Sequence, residues 1–255
     1  MTGTAAPADL RLHRRQTFTT VPRGRCLTVV DDPAGPPPYG TLVLAHGLTG
    51  DRSGPADLLA HLAAEICVTC QVRVVRFDMR GSGDSTGDFF DTTFDGMTDD
   101  FVAVARRHAV GDRPLVCGGI SIGGVPATLG AARLVEANDV RPCGVVLLSS
   151  DLIEGVRFDV AGIAPVRSGE FHLPGAFFRE RERLRPRTAL VRSGLPFLFV
   201  YGTKDLKVAA CAPWFATHGT TSGIDCDHLF EGSAARAQLV RECTAFVSRV
   251  IKGGP

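Results

Sequence analysis

Leu115-Val116-Cys117-Gly118-Gly119-Ile120-Ser121-Ile122-Gly123-Gly124 is the stretch that decides the fold. It opens as an apolar run typical of a buried strand, and residues 122–137 then carry the apolar content of a helix. Between the two, residues 119–123 read G-x-S-x-G. A serine on such a strand-to-helix turn has a strained backbone and an exposed hydroxyl. The stretch therefore predicts a nucleophile at Ser121.

Short apolar runs alternate with amphipathic stretches on both sides of this turn. The runs cover residues 41–45, 72–77, 144–150 and 196–201, and the amphipathic stretches cover residues 55–67, 95–110, 208–218 and 234–251. This alternation predicts an α/β fold, with a mainly parallel twisted sheet and helices on both faces. A hairpin is predicted over residues 16–30, after a loose lead-in over residues 1 to about 15.

The alternation lapses between the strand that ends near residue 150 and the strand that begins near residue 196. Such a gap is long for a compact domain, so residues 151–195 are predicted to be a lid or cap insertion in a single domain spanning residues 1–255. Phe171, Phe177 and Phe178 in this insertion are candidate substrate-binding residues, or alternatively form the lid's own small core. The charged run at 178–184 predicts the solvated face of a short helix.

Two polar residues that follow later strands are candidate partners for Ser121. Asp205 lies just past the strand at 196–201, and open α/β sheets bind ligands at the carboxyl ends of their strands. His228 lies before the last helix. Asp151, just past the preceding strand, is the alternative acid. We expect Ser121, Asp205 and His228 to converge at one edge of the sheet.

A glycine-bearing turn follows the first central strand, at residues 46–50. Its Leu48 N–H, together with the N–H of Ile122, is a candidate donor to an oxyanion formed beside the serine. His46 in the same turn is interpreted as a structural hydrogen-bonding residue. The glycine-rich loop at residues 78–87 matches neither phosphate-binding spacing, and Asp78 and Arg80 are predicted to form a buried polar pair there.

The order Ser121, Asp205, His228 is the nucleophile, acid and base order of the α/β-hydrolase fold. With His46-Gly47 and the run RFDMRGSGDSTGDF at residues 76–89, the sequence resembles that superfamily over nearly its whole length, and within it the bacterial feruloyl/cinnamoyl-type esterases and related acyl hydrolases. The resemblance implies a serine hydrolase that cleaves a carboxylic ester through an acyl-enzyme, without a cofactor. A thioesterase or acyltransferase in a biosynthetic pathway is the alternative, followed by a non-enzymatic ligand receptor.

Composition narrows the expected partners and location. The chain has 255 residues, 44% of them hydrophobic and 22% charged, with a net charge of +1, so neither nucleic acid nor a membrane is expected as a partner. Residues 1–16 lack the apolar core of a signal peptide, which favours a cytoplasmic protein. Cys67 and Cys70 lack the further ligands of a metal site, so no metal is expected. The expected ligand is a small acyl ester or thioester, and a homodimer is left open.

Overall fold

Ten strands and eight α-helices alternate along residues 11–253, the part of the chain that the computed structural model describes. The strands are β1 (Leu12–Val21), β2 (Gly24–Pro33), β3 (Thr41–Ala45), β4 (Arg73–Phe77), β5 (Pro114–Ile120), β6 (Arg141–Leu148), β7 (Ile163–Val166), β8 (Phe171–Pro174), β9 (Phe197–Gly202) and β10 (Thr220–Ile224). The helices are α1 (Leu58–Cys70), α2 (Phe94–His108), α3 (Gly124–Ala137), α4 (Gly175–Arg183), α5 (Pro186–Ser193), α6 (Leu206–Ala209), α7 (Ala212–Ala216) and α8 (Ser233–Ile251).

Eight of these strands form one sheet in the order β1-β2-β4-β3-β5-β6-β9-β10. The pairs β1–β2 and β2–β4 are antiparallel, and the remaining pairs are parallel. The predicted mainly parallel sheet is therefore confirmed. Because β3, β5, β6 and β9 run in the same direction, the loops after all four strands open at one edge of the sheet.

Side chains that alternate along the central strands supply two separate hydrophobic layers. On β5, Leu115 and Cys117 belong to one layer and Val116 and Ile120 to the other, and each of the four is at most 1% exposed. Helices α2 and α3 cover the first layer, and helices α1 and α8 cover the second. Burial on both faces explains why the central strands read as unbroken apolar runs rather than as alternating ones.

The edge hairpin is longer than the predicted one at residues 16–30. Strands β1 and β2 pair over ten residues each, and the added part contains an ion pair in which Arg14 Nε lies 2.7 Å from Asp31 Oδ1. Charged residues that pair across strands break the apolar alternation on which the prediction depended. The expected lead-in thus ends before Leu12, and its residues 1–10 lie outside the described part of the chain.

The predicted single helix over residues 208–218 is instead two short helices, α6 and α7. Helix α6 begins after Asp205, whose carboxylate accepts a hydrogen bond from the Val208 N–H at 3.3 Å. Pro213 stands in the first turn of α7, where its missing N–H leaves no helical hydrogen bond unmade. The proline therefore starts a new helix and does not continue the first one.

The glycine-rich loop after β4 contains two ion pairs, and the predicted pairing of Asp78 with Arg80 is wrong. The buried Asp78 carboxylate accepts hydrogen bonds from the backbone N–H of Arg52 at 2.7 Å and from its guanidinium at 2.6 Å. Arg80 Nε instead donates to Asp100 on α2 at 2.8 Å. Both true partners come from other segments of the chain, so local sequence carries no sign of them.

Residues 151–195, called the insertion segment below, lie between β6 and β9. They contain the two-stranded antiparallel sheet β7–β8 and the helices α4 and α5. Phe177 on α4 stacks on Phe94 of α2 at a centroid distance of 4.6 Å. The Glu180 carboxylate accepts hydrogen bonds from the N–H groups of Phe94 and Asp95, at 2.9 and 2.8 Å. A carboxylate at the start of a helix is stabilised by the helix dipole, so this contact fastens α4 to the sheet domain.

The charged run at 178–184 is not simply the solvated face of a helix, as the sequence had suggested. Glu180 is tied to α2, and the Arg181 side chain is only 12% exposed. Arg183, two residues further along α4, is exposed. Charge in the primary sequence does not reveal which of these side chains turns inward, because that depends on the elements against which α4 packs.

His108, the last residue of α2, is a buried histidine that contacts the edge strand β1. Its Nε2 lies 2.7 Å from the Thr19 hydroxyl of β1, and its residue exposure is 6%. Burial, reinforced by the positive charges of Arg107 and Arg73, lowers the pKa of His108 to about 4. The ring is therefore neutral in the folded protein at neutral and mildly acidic pH.

His108→Gln should weaken the pH dependence of stability. Histidine in the unfolded chain takes up a proton below about pH 6.5, whereas the folded ring resists protonation down to about pH 4. His108 therefore contributes about 3 kcal/mol to the free energy of unfolding. This contribution is present in full above pH 6.5 and is lost as the pH falls towards 4. Urea unfolding at a series of pH values should show this loss reduced in the variant. Substitution of the exposed His61 on α1 is the control, and equal pH dependence in H108Q and wild type would contradict the assignment.

Candidate active site

Ser121 lies immediately after β5, the strand at the middle of the sheet. Its backbone φ is 53°, in the left-handed region that a residue with a Cβ rarely adopts. A single 3₁₀ turn over Ser121–Gly123 leads directly into α3. Such a conformation costs on the order of 1–3 kcal/mol and persists only where the surrounding structure enforces it. The strained strand-to-helix turn expected from G-x-S-x-G is present.

The glycines around Ser121 are required by the close approach of other backbone segments. A Cβ on Gly119 would lie 2.3 Å from the carbonyl oxygen of Gly123, and a Cβ on Gly123 would lie 2.2 Å from the carbonyl oxygen of His46. Both distances are far shorter than atomic contact allows. The turn after β5 is therefore packed directly against the end of β3, which brings the His46-Gly47 turn beside the serine.

His228 and Asp205 form a direct hydrogen bond, although 23 positions separate them in the chain. His228 Nδ1 lies 2.5 Å from Asp205 Oδ2, while the other oxygen of Asp205 caps α6. A Cβ on Gly202 would lie 2.0 Å from the carbonyl oxygen of Asp227, so the end of β9 directly contacts the histidine loop. A histidine whose Nδ1 is held by a carboxylate has Nε2 free to exchange a proton.

Asp151, the alternative acid, has different partners. Its carboxylate oxygens lie 3.7 Å from Arg181 Nη2 and 3.9 Å from Lys207 Nζ. One of them also accepts a hydrogen bond from the Ile153 N–H at 3.3 Å. Among the residues that the structure describes, the carboxylate bonded to His228 is that of Asp205. Geometry therefore favours Asp205 over Asp151 as the partner of the histidine.

Ser121, Asp205 and His228 all line one cavity of 570 Å³ at the carboxyl edge of the sheet. A second cavity of 530 Å³ shares Ser121, His228 and Leu48 with the first and extends along residues 47–51. Ser121 therefore stands where two cavities meet. An acyl compound whose reacting carbon lay at Ser121 would have room for one group on each side.

The His46 turn places backbone N–H groups next to Ser121. His46 Nδ1 donates to the Gly47 carbonyl at 2.7 Å, and Nε2 accepts from the Met79 N–H at 3.0 Å. Burial lowers the pKa of His46, which keeps the ring neutral and suited to these two bonds. In the described part of the chain, the Leu48 N–H has no protein acceptor. The Ile122 N–H lies in the first turn of a helix, where N–H groups have no partner within the helix.

Two of the three predicted aromatic residues reach the cavity. Phe177 and Phe178 line it, with their ring centroids 5.4 Å apart. Phe171 is not among the lining residues; its ring packs on Phe89 at a centroid distance of 5.0 Å, so the structure places it outside this cavity. Phe158, which packs on Phe178 at 5.6 Å, takes that place in the lining. The positions of Phe171 and Phe158 depend on how the insertion segment packs against the rest of the protein, and its local sequence does not predict that packing.

Arg181 and Lys207 also line the cavity, and sequence reasoning missed both. Arg181 lay within a charged run, and Lys207 lay just before the predicted helix at residues 208–218. The only local signal for Lys207 is its position two residues after Asp205. The cavity is otherwise lined mostly by apolar side chains, including Val125, Ile153 and Val208.

The cysteines form no metal site in the described residues. Cys67 and Cys70 are both buried on α1, and no group of histidine, cysteine or carboxylate side chains there could hold a metal ion. Burial raises the pKa of the Cys67 thiol to about 12, which keeps it protonated and unreactive. Within residues 11–253, no helix is long and apolar enough to cross a membrane.

Known proteins resemble this chain in sequence pattern and in fold. The model of the family described as alpha/beta hydrolase matches residues 42–247. The chain belongs to the alpha/beta hydrolase family. The resemblance noted from Ser121, Asp205 and His228 in the sequence is thereby confirmed at the level of the family and its fold. No match was found among curated proteins.

Several solved structures share the fold of this α/β-hydrolase. Est1E from Butyrivibrio proteoclasticus, with ferulic acid bound, is 19% identical with a TM-score of 0.76, over 92% of this chain and 99% of that chain. A dienelactone hydrolase from Anabaena variabilis ATCC 29413 is 16% identical with a TM-score of 0.67, over 94% and 99%. The esterase domain of a Rhodothermus marinus protein is 20% identical with a TM-score of 0.66, over 94% and 99%.

Gly123→Ala should destabilise this α/β-hydrolase strongly. The new methyl group would lie 2.2 Å from a backbone oxygen, so β3 or α3 must shift to accommodate it. Overpacking of this kind typically costs about 1–3 kcal/mol in the free energy of unfolding, measurable by urea denaturation. Gly162→Ala in the insertion segment is the matched control, because its added Cβ meets nothing within 4 Å. Equal stability of the two variants would show that the turn tolerates a side chain.

Proposed function

We propose that the protein is a serine hydrolase that cleaves a carboxylic ester through an acyl-enzyme on Ser121. The observation that supports this most directly is the 2.5 Å hydrogen bond between His228 and Asp205, at a cavity that both residues share with Ser121. A serine hydroxyl is a weak nucleophile without a base. The histidine at the same cavity can supply that base.

In the first half of the reaction, Ser121 Oγ attacks the ester carbonyl carbon while His228 Nε2 takes the hydroxyl proton. The Asp205 carboxylate holds the imidazole in orientation through Nδ1 and stabilises the imidazolium that forms. The tetrahedral intermediate then collapses. His228 returns the proton to the departing alkoxide, which leaves as an alcohol, and the acyl group remains on Ser121.

The negative charge of the tetrahedral intermediate requires donors fixed in advance. The N–H groups of Leu48 and Ile122 are the proposed pair, one from the turn after β3 and one from the start of the helix after Ser121. The positive end of α3 adds to their effect. Loss of one such donor typically lowers the rate about 100- to 1000-fold. The close packing of Gly123 against His46 would therefore favour catalysis, because it brings the turn that carries the Leu48 N–H beside Ser121.

In the second half, water attacks the acyl-enzyme with His228 again acting as the base, and the acid is released. The two cavities that meet at Ser121 suit a substrate with an acyl group on one side and an alcohol on the other. We propose that the insertion segment at residues 151–195 acts as a lid on the 570 Å³ cavity, to which it contributes Phe158, Phe177 and Phe178. The Est1E structure with ferulic acid shows that a protein of this fold accommodates an aromatic acid.

The proposed location is the cytoplasm. All eight cysteines lie within the described residues and are free thiols, seven of them buried and Cys143 partly exposed. Unpaired cysteines in this number are typical of a reducing compartment.

Ser121→Ala should lower kcat for an ester substrate by at least about 1000-fold, because no other nucleophile is proposed. A panel of aryl and alkyl esters with acyl and alcohol groups of varied size provides the measurement. A fluorophosphonate probe should label the wild type at position 121 and leave the variant unlabelled. Ester hydrolysis that survives the alanine substitution would refute the mechanism, and a wild type that is inert to both esters and probe would indicate a binding protein.

Thioesters added to this panel distinguish an esterase from a thioesterase. Matched oxygen esters and thioesters of one acyl group should be hydrolysed with a preference for the oxygen ester. The reverse preference would assign the triad to thioester chemistry.

Asp205→Asn should lower kcat about 1000- to 10,000-fold, because the amide favours the wrong tautomer of His228. Asp151→Asn should have a much smaller effect, below about tenfold, since its carboxylate is paired with cations and not with the histidine. Ester hydrolysis by the two purified variants provides the comparison. A larger loss in D151N than in D205N would move the acid of the triad to position 151.

A further inference from the structure

Arg181 is a mostly buried cation in a cavity that is otherwise lined mainly by apolar side chains. Its side chain is 12% exposed, and its guanidinium carbon lies 5.9 Å from the centroid of the Phe94 ring. It lines the 570 Å³ cavity together with Ser121 and His228. Burying a guanidinium is costly unless hydrogen bonds compensate for the lost water. The position therefore calls for an acceptor.

Within residues 11–253, this guanidinium has no close hydrogen-bond acceptor. The nearest ion-pair atom, Asp151 Oδ1, is 3.7 Å from Arg181 Nη2, beyond hydrogen-bonding distance. In the part of the chain that the structure describes, the Arg181 side chain makes no hydrogen bond. Arg80, of similar burial, shows what full pairing looks like: its Nε lies 2.8 and 3.0 Å from the two oxygens of Asp100.

The charges around Arg181 do not balance. The carboxylates of Asp151 and Glu154 favour its positive charge, and the guanidinium of Arg187 opposes it. Glu154 is occupied by the N–H and hydroxyl of Thr188, and Asp151 is shared with Lys207 at 3.9 Å. Arg181, Arg187 and Lys207 thus make three cations in the surroundings of two carboxylates. Burial lowers the pKa of Arg181 despite both carboxylates, which shows that they do not offset its desolvation.

We infer that Arg181 binds a carboxylate of the substrate that lies remote from the reacting ester, an inference that rests on the proposed esterase function. A guanidinium offers two parallel N–H donors to a carboxylate, and such a pair is stronger in a cavity that excludes water. The apolar side chains that line the same cavity as Ser121 and Arg181, including Phe177, Phe178 and Val125, suit a hydrocarbon spacer. The substrate class is therefore an ester with an apolar chain or ring that ends in a carboxylate.

The carboxylate can belong to either half of the ester, and two sets of substrates distinguish these sources. Monomethyl esters of adipic, pimelic and suberic acids place it on the acyl side. Acetate esters of ω-hydroxy acids place it on the alcohol side. In each set the neutral partner is the same molecule with the carboxylate replaced by a primary amide. The readout is the ratio of kcat/KM for the anionic substrate to that for its neutral partner.

We expect the wild type to favour the anionic substrate by about 10- to 100-fold on the acyl side, mainly through KM. Arg181→Gln should bring this ratio close to one, and Arg181→Lys should give an intermediate ratio because it keeps the charge without the paired donors. Asp151→Asn removes the competing carboxylate and should raise the ratio. Arg183→Gln, an identical change at the exposed position on the same helix, should leave it unchanged.

If the anionic substrate is preferred only in the alcohol-side set, Arg181 still binds a carboxylate, and that carboxylate belongs to the leaving group. A ratio of one on both sides in the wild type would overturn the inference while leaving the esterase proposal intact. A parallel fall for anionic and neutral substrates in R181Q would also overturn it, because that pattern indicates structural damage.

Binding separates this inference from the catalytic proposal. Adipate should bind to the Ser121→Ala protein in isothermal titration calorimetry and bind at least about tenfold more weakly when Arg181 is also replaced by Gln. Binding that depends on Arg181 without turnover of any ester would support the carboxylate site and refute the esterase proposal. Equal adipate binding with and without Arg181 would overturn the site itself.

Discussion

The close packing of the turn after β5 against the end of β3 is the constraint on which the rest of the site depends. Gly123 lies so near the carbonyl of His46 that no side chain fits between them. This contact fixes Ser121 at a positive φ and simultaneously brings the Leu48 turn alongside it. The local strain is offset by the two buried hydrophobic layers that hold β3 and β5 in register. Stability supplied by the core is thus used to position a single hydroxyl group.

The second requirement is that segments distant in sequence meet at this turn. Parallel strands place their carboxyl ends at one edge, and the short loops after β9 and β10 bring Asp205 and His228 to it. The approach is tight, since Gly202 contacts the backbone of Asp227. Asp205 both caps a helix and holds the imidazole, so one carboxylate stabilises the fold and orients the histidine. Structure and proposed chemistry share the same interactions at this edge.

The insertion segment supplies both aromatic and charged side chains to the 570 Å³ cavity, among them Phe158, Phe178 and Arg181. Its helix α4 is fastened by Phe177 stacking on Phe94 and by Glu180 at the start of α2. That attachment turns Arg181 inward, away from the solvent that surrounds Arg183. A cation in an apolar cavity has few compatible ligands, because an uncompensated charge is costly there. The shape of the insertion therefore bears on which ligands fit the cavity.

The sequence by itself determined the order of the main-sheet elements, the turn at Ser121 and the identity of Asp205 and His228 as candidates, because strand and helix periodicities and steric demands on glycine are local properties. Only the tertiary structure decided that Asp205 rather than Asp151 bonds the histidine, that Asp78 pairs with Arg52, and that Phe171 lies away from the cavity. It also decided that the Arg181 side chain is mostly buried. These features depend on contacts between segments far apart in the chain, and residue type does not specify which distant partner a charged or aromatic side chain will meet.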